Sequence, residues 1–130
     1  MSKLKAFLRP SPVGKTKEVI LDGFKDEEGN PIPFIVQSIS AEESDAITAL
    51  CMDENGRMDS GQYGDRMILA CLKEPDLKAS EICDYYGVMD PLAVPGRMFS
   101  PGEKKLVEAA VMEINDMTEA VNKLKKAKKS

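Results

Sequence analysis

From residue 100 onward the chain is organised by a seven-residue repeat. Val107, Ile114 and Val121 recur at that interval, and Ala110, Met117 and Leu124 follow it offset by three. Together they form an a/d seam over about three heptads. The segment "SPGEKK" opens this helix strongly, with Ser100 at the N-cap, Pro101 at N1 and Glu103 at N3. A helix of this length is marginal in isolation, so its stripe must be laid against something. Two partners are open: the core of its own domain, or another helix. On the second reading Val107, Ala110, Ile114, Met117, Val121 and Leu124 are the candidate partner-contact residues. Residues after about 116 then project from the globule.

The rest of the chain is cut into short pieces by proline and glycine. Pro10, Pro12 and Gly14 break any helix near the start, so residues 1–15 read as an extended arm. "EVILDGF" (18–24) and "PFIVQSI" (33–39) are rich in Val, Ile and Phe, and "KDEEGNP" between them is a turn-rich spacer. This pattern predicts two antiparallel strands. A first helix follows from Ser40, with Glu43 completing an S-x-x-E capping box and Ala46, Ile47, Leu50 and Cys51 forming its apolar stripe. "DENGRMDSGQYG" is a polar loop. A second helix is expected over 62–72, with Tyr63, Met67, Ala70 and Cys71 near one face and Pro75 as its stop. A third is expected over 78–86 with Gly87 as its C-terminal cap. A short turn or helix opens at Asp90-Pro91 and ends near Phe99.

The expected fold class is therefore α+β, mainly α: an N-terminal β-hairpin followed by four to five helices, the last one long. The expected organisation is an extended arm over 1–15 and a single globular domain over 16–122. Within it the hairpin occupies 16–39 and the helical part 40–122. A basic, disordered tail covers 123–130.

Charge is unevenly placed. Residues 1–17 carry five basic groups and no acid, and residues 123–130 carry five lysines and no acid. The intervening 18–122 holds all 22 acids against eight basic residues, a net of −14. A nucleic-acid face is clustered and basic, so an acidic body with basic ends argues against duplex binding. It suits pairing with a basic protein segment, or contacts between copies. Eight methionines suit a surface that repacks on partners, although plain core packing also accounts for them. No apolar run approaches the ~18–20 residues that span a bilayer. Three cysteines at 51, 71 and 83 fit a reducing compartment better than a disulfide framework. The expectation is an unprocessed, cytosolic chain.

One stretch, "KEPDLKASEICDYYG" (73–87), gathers residues of the kind that do chemistry, yet the chemistry fails on inspection. With no histidine in the chain, Ser–His and Cys–His pairs are unavailable. The cysteine spacings of 20 and 12 do not match a zinc site. Asp84 beside Cys83 disfavours a second negative charge there. Glu81 and Asp84 share a helical face, which in so acidic a chain reads as a solvated surface. "DENGRMD" begins like a calcium loop. Counting from Asp53, however, Gly56 falls at position 4 and Gly64, not Glu, at position 12. "VGKT" (13–16) echoes the end of a phosphate-binding loop but lacks its upstream glycine and precedes a strand. No catalytic, metal or cofactor residues are assigned.

Several segments together resemble a known family. They are "LRPSP" near the start, "KDEEGNPIPFIVQSISAEESDAI" (25–47), "CLKEPDLKASEICDYYGVMDP" (71–91) and "MFSPGEKKLVEAAVMEIND" (98–116). Their order and spacing resemble the XkdN-like tail assembly chaperones of phages and prophages of Gram-positive bacteria, over about residues 5–116. The resemblance implies a non-enzymatic protein without cofactors. Such a protein binds the tape measure protein in the host cytoplasm, keeps it soluble, and is absent from the finished virion. It also implies partners in the tail tube protein, in a longer form made by programmed frameshifting near the "KLKKAKKS" end, and in further copies of the chain. Nucleic acid and membrane are not among them. The competing expectations are a tail or head-completion component retained in the virion, and a small regulator that binds nucleic acid through its basic ends.

Overall fold

The computed structural model describes residues 3–118. Three strands form one antiparallel sheet in the order β1-β2-β3: β1 is Thr16–Val19, β2 is Phe34–Gln37 and β3 is Leu72–Glu74. Among the described residues, five α-helices accompany it. They are α1 (Ala41–Leu50), α2 (Ser60–Cys71), α3 (Ser80–Tyr86), α4 (Val94–Met98) and α5 (Pro101–Ile114). The class is α+β and mainly α, as expected.

β2 is the central strand, and its side chains show why. Phe34 and Val36 alternate into the core while Ile35 and Gln37 are half-covered on the other face. β1 pairs with it from Thr16↔Gln37 to Val19↔Phe34. The strand expected over 18–24 thus begins earlier and stops at Val19. Leu21 leaves the sheet to enter the core, and Phe24 packs edge-on to Phe34 at 4.9 Å between ring centres. Phe99 completes the aromatic group at 5.7 Å from Phe34 and 6.0 Å from Phe24. β3 was not expected. Its three residues "LKE" carry no strand signature, but they fill the second edge of β2, so the hairpin becomes a three-stranded sheet.

The helices begin where the sequence places their caps. Ser40 accepts from the Glu43 N–H at 3.1 Å, and Asp59 accepts from the Gln62 N–H at 3.0 Å, which starts α2 two residues before the expected 62. At α5 the reciprocal box closes fully: Ser100 Oγ accepts from the Glu103 N–H, and Glu103 accepts from the Ser100 N–H. α3 ends at Gly87, whose φ of 68° is the left-handed conformation that a Cβ disfavours. The expected short helix after Asp90 is present as a 3₁₀ turn at Pro91–Ala93 leading into α4.

α5 lies across the sheet and α2, touching α2, β1 and β2. Val107 and Val111 are fully buried there, with Ile68, Cys71 and Val36. Two features differ from expectation. Residues 3–7 of the anticipated extended arm form a 3₁₀ turn (Lys3–Phe7) whose residues are all exposed. The heptad helix is also interrupted: α5 ends at Ile114, Asn115 caps it, and Asp116 turns left-handed at φ 61°. The cause is Asn115. Its Nδ2 donates to the Val111 carbonyl at 2.8 Å while its Oδ1 accepts from the Ile39 N–H at 2.9 Å. Met117 and Thr118 begin another helical turn. Val121, Leu124 and the basic tail expected at 123–130 lie outside the described residues.

Replacing Asn115 by Ala leaves the Ile39 N–H without its acceptor and should cost about 1–3 kcal/mol by urea denaturation. Gly87→Ala, at a left-handed position with open space around it, should cost about 1–2 kcal/mol through backbone strain alone.

Candidate interaction surfaces

The residue-rich stretch 73–87 assembles no reactive centre. Cys83 is buried, and its thiol is 3.6 Å from the Leu77 carbonyl oxygen. Glu81 and Asp84 are exposed on the outside of α3. Tyr85 and Tyr86 meet edge-on at 4.9 Å, with Tyr85 exposed and Tyr86 half-buried. Burial first, then Tyr85 and Glu103, raise the Tyr86 phenol above its ordinary value, so it is neutral at physiological pH. Cys71 sits at the end of α2, 3.5 Å from the Asn115 Nδ2. Burial pushes its thiol up, the Asn115 hydrogen bond opposes this, and Glu43 adds to it. Among the described residues, no three Cys, Asp or Glu side chains are arranged to hold a metal ion. None of their helices is long and apolar enough to cross a membrane.

All three cysteines are free and buried. Alkylation by iodoacetamide at pH 8 should therefore be negligible in the native protein and complete in denaturant, read by intact mass.

The seam expected to meet a partner is mostly spent on the chain's own core. Val107 is 0% exposed and Ala110 is 7% exposed, because α5 presses this face onto α2 and the sheet. Ile114 and Met117 are half-buried against the same core. The four seam residues that are described therefore offer no open apolar stripe, and the turn at Asn115–Asp116 breaks its register.

Apolar surface is left open elsewhere. The N-terminal 3₁₀ turn and the residue after it expose Phe7 (79%) and Leu8, flanked by Lys3, Lys5 and Arg9. A groove of about 420 Å³ opens beside β2, lined by Phe24, Ile32, Pro33, Ile35, Pro75 and Met98 among others. A second groove, about 410 Å³, lies between α1 and α2. Ala46, Ile47, Leu50, Leu69, Ala70 and Leu92 line it, with Glu43, Arg66, Lys78 and Asp90 at its edges. Only Ile47 and Cys51 of the expected α1 stripe are buried; Ala46 is exposed and Leu50 is 61% exposed.

Past Leu50 the groove runs into a depression bordered by Met52 and Met58, which bridge across the "DENGR" turn. Asp53 builds that turn, accepting from the Asn55 and Arg57 N–H groups at 2.9 Å each. The sequence signal for it was Asn55-Gly56, a hairpin-turn pair within a segment read only as a polar loop.

Residues 4–128 match the family of phage XkdN-like tail assembly chaperone proteins. The chain belongs to that family. Its relatives agree. The protein YqbN of Bacillus subtilis (strain 168) is 29% identical over 96% of this chain and 92% of its own length. The phage-like element PBSX protein XkdN of the same organism is 28% identical over 75% of this chain and 73% of its own. A crystal structure of YqbN superposes with a TM-score of 0.68 at 30% identity, covering 78% of this chain and 86% of that one. Membership in the XkdN-like chaperones ties this protein to phage tail assembly and so to tail proteins as its partners. For an assembly chaperone, the surfaces of interest are the open apolar ones.

Proposed function

We propose that this chain binds the tape measure protein of a long-tailed phage and holds it soluble in the host cytoplasm during tail assembly, without catalysis. The family match across residues 4–128 carries the reading. Exposed apolar surface on an acidic body supports it. A long, amphipathic client needs its apolar face covered, and a net charge of −14 over residues 18–122 suits a client with basic stretches. In this reading the tail tube protein displaces the chaperone, which is absent from the finished virion. A frameshifted longer form is a second product of the same gene.

Of the expected contact residues, Val107 and Ala110 serve the core. Ile114, Met117, Val121 and Leu124 remain in the proposal as contacts at the C-terminal end.

Co-expression tests it. The tape measure protein of the same phage should be recovered in the soluble fraction only when this chain is present, and should co-purify with it. Mass spectrometry of purified tails should not find the chain. Equal solubility of the tape measure protein alone would defeat the chaperone role, and stoichiometric presence in tails would make the protein a structural component.

A further inference from the structure

We infer that the groove between α1 and α2, continued over Leu50, Met52 and Met58, is the docking surface for the client, and that it takes one amphipathic helix with a basic flank. The inference rests on the tape-measure reading above and assigns it a place.

Three observations converge on this face. The first is that α1 carries more apolar side chain than the core uses. Leu50 is 61% exposed, and Met52 and Met58 are 43% and 46% exposed on the adjoining turn. These are unbranched or γ-branched side chains, and methionine in particular adapts to different apolar partners. The second is shape. α1 is ten residues long, roughly 15 Å at the helical rise, which matches about three turns of a helix laid alongside it. A partner helix fits such a trough with apolar residues at i, i+3 or i+4, and i+7.

The third is charge. Residues 41–59 hold six carboxylates (Glu42, Glu43, Asp45, Asp53, Glu54, Asp59) and one basic group, Arg57; of the six, Glu43 lines the groove, Asp53 and Asp59 line the depression beyond Leu50, and Asp45 lines a pocket on another face. None of the six forms an ion pair within 4.0 Å among the described residues, whereas the chain's other acids include five that do, at positions 65, 76, 108, 113 and 116. The opposite wall is different: Arg66 and Lys78 line it, with Asp90 as its one carboxylate. A helix with Lys or Arg on the flank facing α1, and a carboxylate on the flank facing Arg66, satisfies both walls and is held in one orientation.

The test uses the full-length chain, tagged, with the tape measure protein of the same phage co-expressed as the probe. Leu50→Glu and Met58→Glu should each lower capture at least about tenfold, as truncation or charging of an anchor residue does. Ala46→Arg adds bulk and the wrong charge at an exposed groove position without removing any buried carbon. It should do the same while the melting temperature stays that of the parent. Leu106→Glu, at an exposed position on the far helix α5, should capture normally. Capture by the parent chain should also weaken as NaCl rises, since the acidic wall is solvent-facing. Undiminished capture by the three groove variants would place the contact elsewhere. Loss confined to Val121→Glu and Leu124→Glu would move it to the C-terminal seam. Both results overturn the groove and leave the chaperone reading standing. Failure of the parent chain to capture the tape measure protein at all would remove that reading and the groove together.

Discussion

One side chain ties together the parts of this protein that are furthest apart in sequence. Asn115 closes the end of α5 through the Val111 carbonyl, accepts the backbone N–H of Ile39 where β2 hands over to α1, and reaches Cys71 at the end of α2. An amide is suited to this because it both donates and accepts, and each of the groups it meets is partly or wholly removed from water. Around it the chain adds weaker ties. Lys15 and Lys17, on and just before β1, pair with Asp116 and Glu113 at 3.2 and 2.6 Å. Exposed pairs of this kind contribute about 0–1 kcal/mol each, so they orient the helix end more than they stabilise it. The hydrogen bonds of Ser38 to Pro12 and Lys15 then lead the N-terminal arm along the same corner. The sheet, α1, α2, α5 and the N-terminal arm are thus referred to a single point.

That point also explains why the heptad pattern could be read two ways. Val107 and Ala110 repeat with Ile114 and Met117, and nothing in the repeat itself says whether the stripe meets a partner or the core. The Asn115-Asp116 pair inside the repeat was the available signal. Both residue types tolerate left-handed backbone and cap helices readily, so they mark a stop even where apolar spacing continues. Other features were legible for the same kind of local reason. The capping residues Ser40 and Ser100 and the terminator Gly87 act through neighbours four or fewer residues away, and the structure shows Ser40 and Ser100 as N-caps and Gly87 as the C-terminal cap. β3 was not legible, because "LKE" becomes a strand only through the unpaired edge of β2, some 36 residues earlier in the chain. The exposure of Leu50 was hidden likewise. A helical stripe reveals which residues are apolar, but how much of the stripe is covered depends on where α2 and the turn at Pro91 come to rest.

A protein that must cover another protein's apolar face carries a standing conflict. The surface it offers is adhesive, and its own copies are the commonest molecules within reach. In the proposed role the conflict is met by separating the two needs in sequence. Aromatic residues, which give the largest apolar area, are mostly inside: Phe24, Phe34 and Phe99 pack on one another, leaving Phe7 and Tyr85 outside. The open apolar area on α1 and its following turn is built from leucine and methionine set among carboxylates. In that role two such faces repel each other before they touch, while the proposed basic helix is drawn in, so one charge pattern would serve solubility and selection together.

The same logic bears on how firmly such a surface should hold. A covering protein that must later be stripped off cannot rely on a deeply buried anchor. The groove at α1 is shallow, Glu43, Lys78 and Asp90 on its walls are exposed, and the apolar side chains it leaves open, Leu50 and the adjoining Met52 and Met58, adapt rather than interlock. Each feature limits the affinity of a single contact. Under the proposed function, strength then comes from many modest contacts along a long client, each of which is released in turn as the client is enclosed. A rigid aromatic pocket on this face would tighten each contact and slow every release. In that light Leu50, Met52 and Met58 are more apt side chains for the task than the phenylalanines that the core keeps for itself.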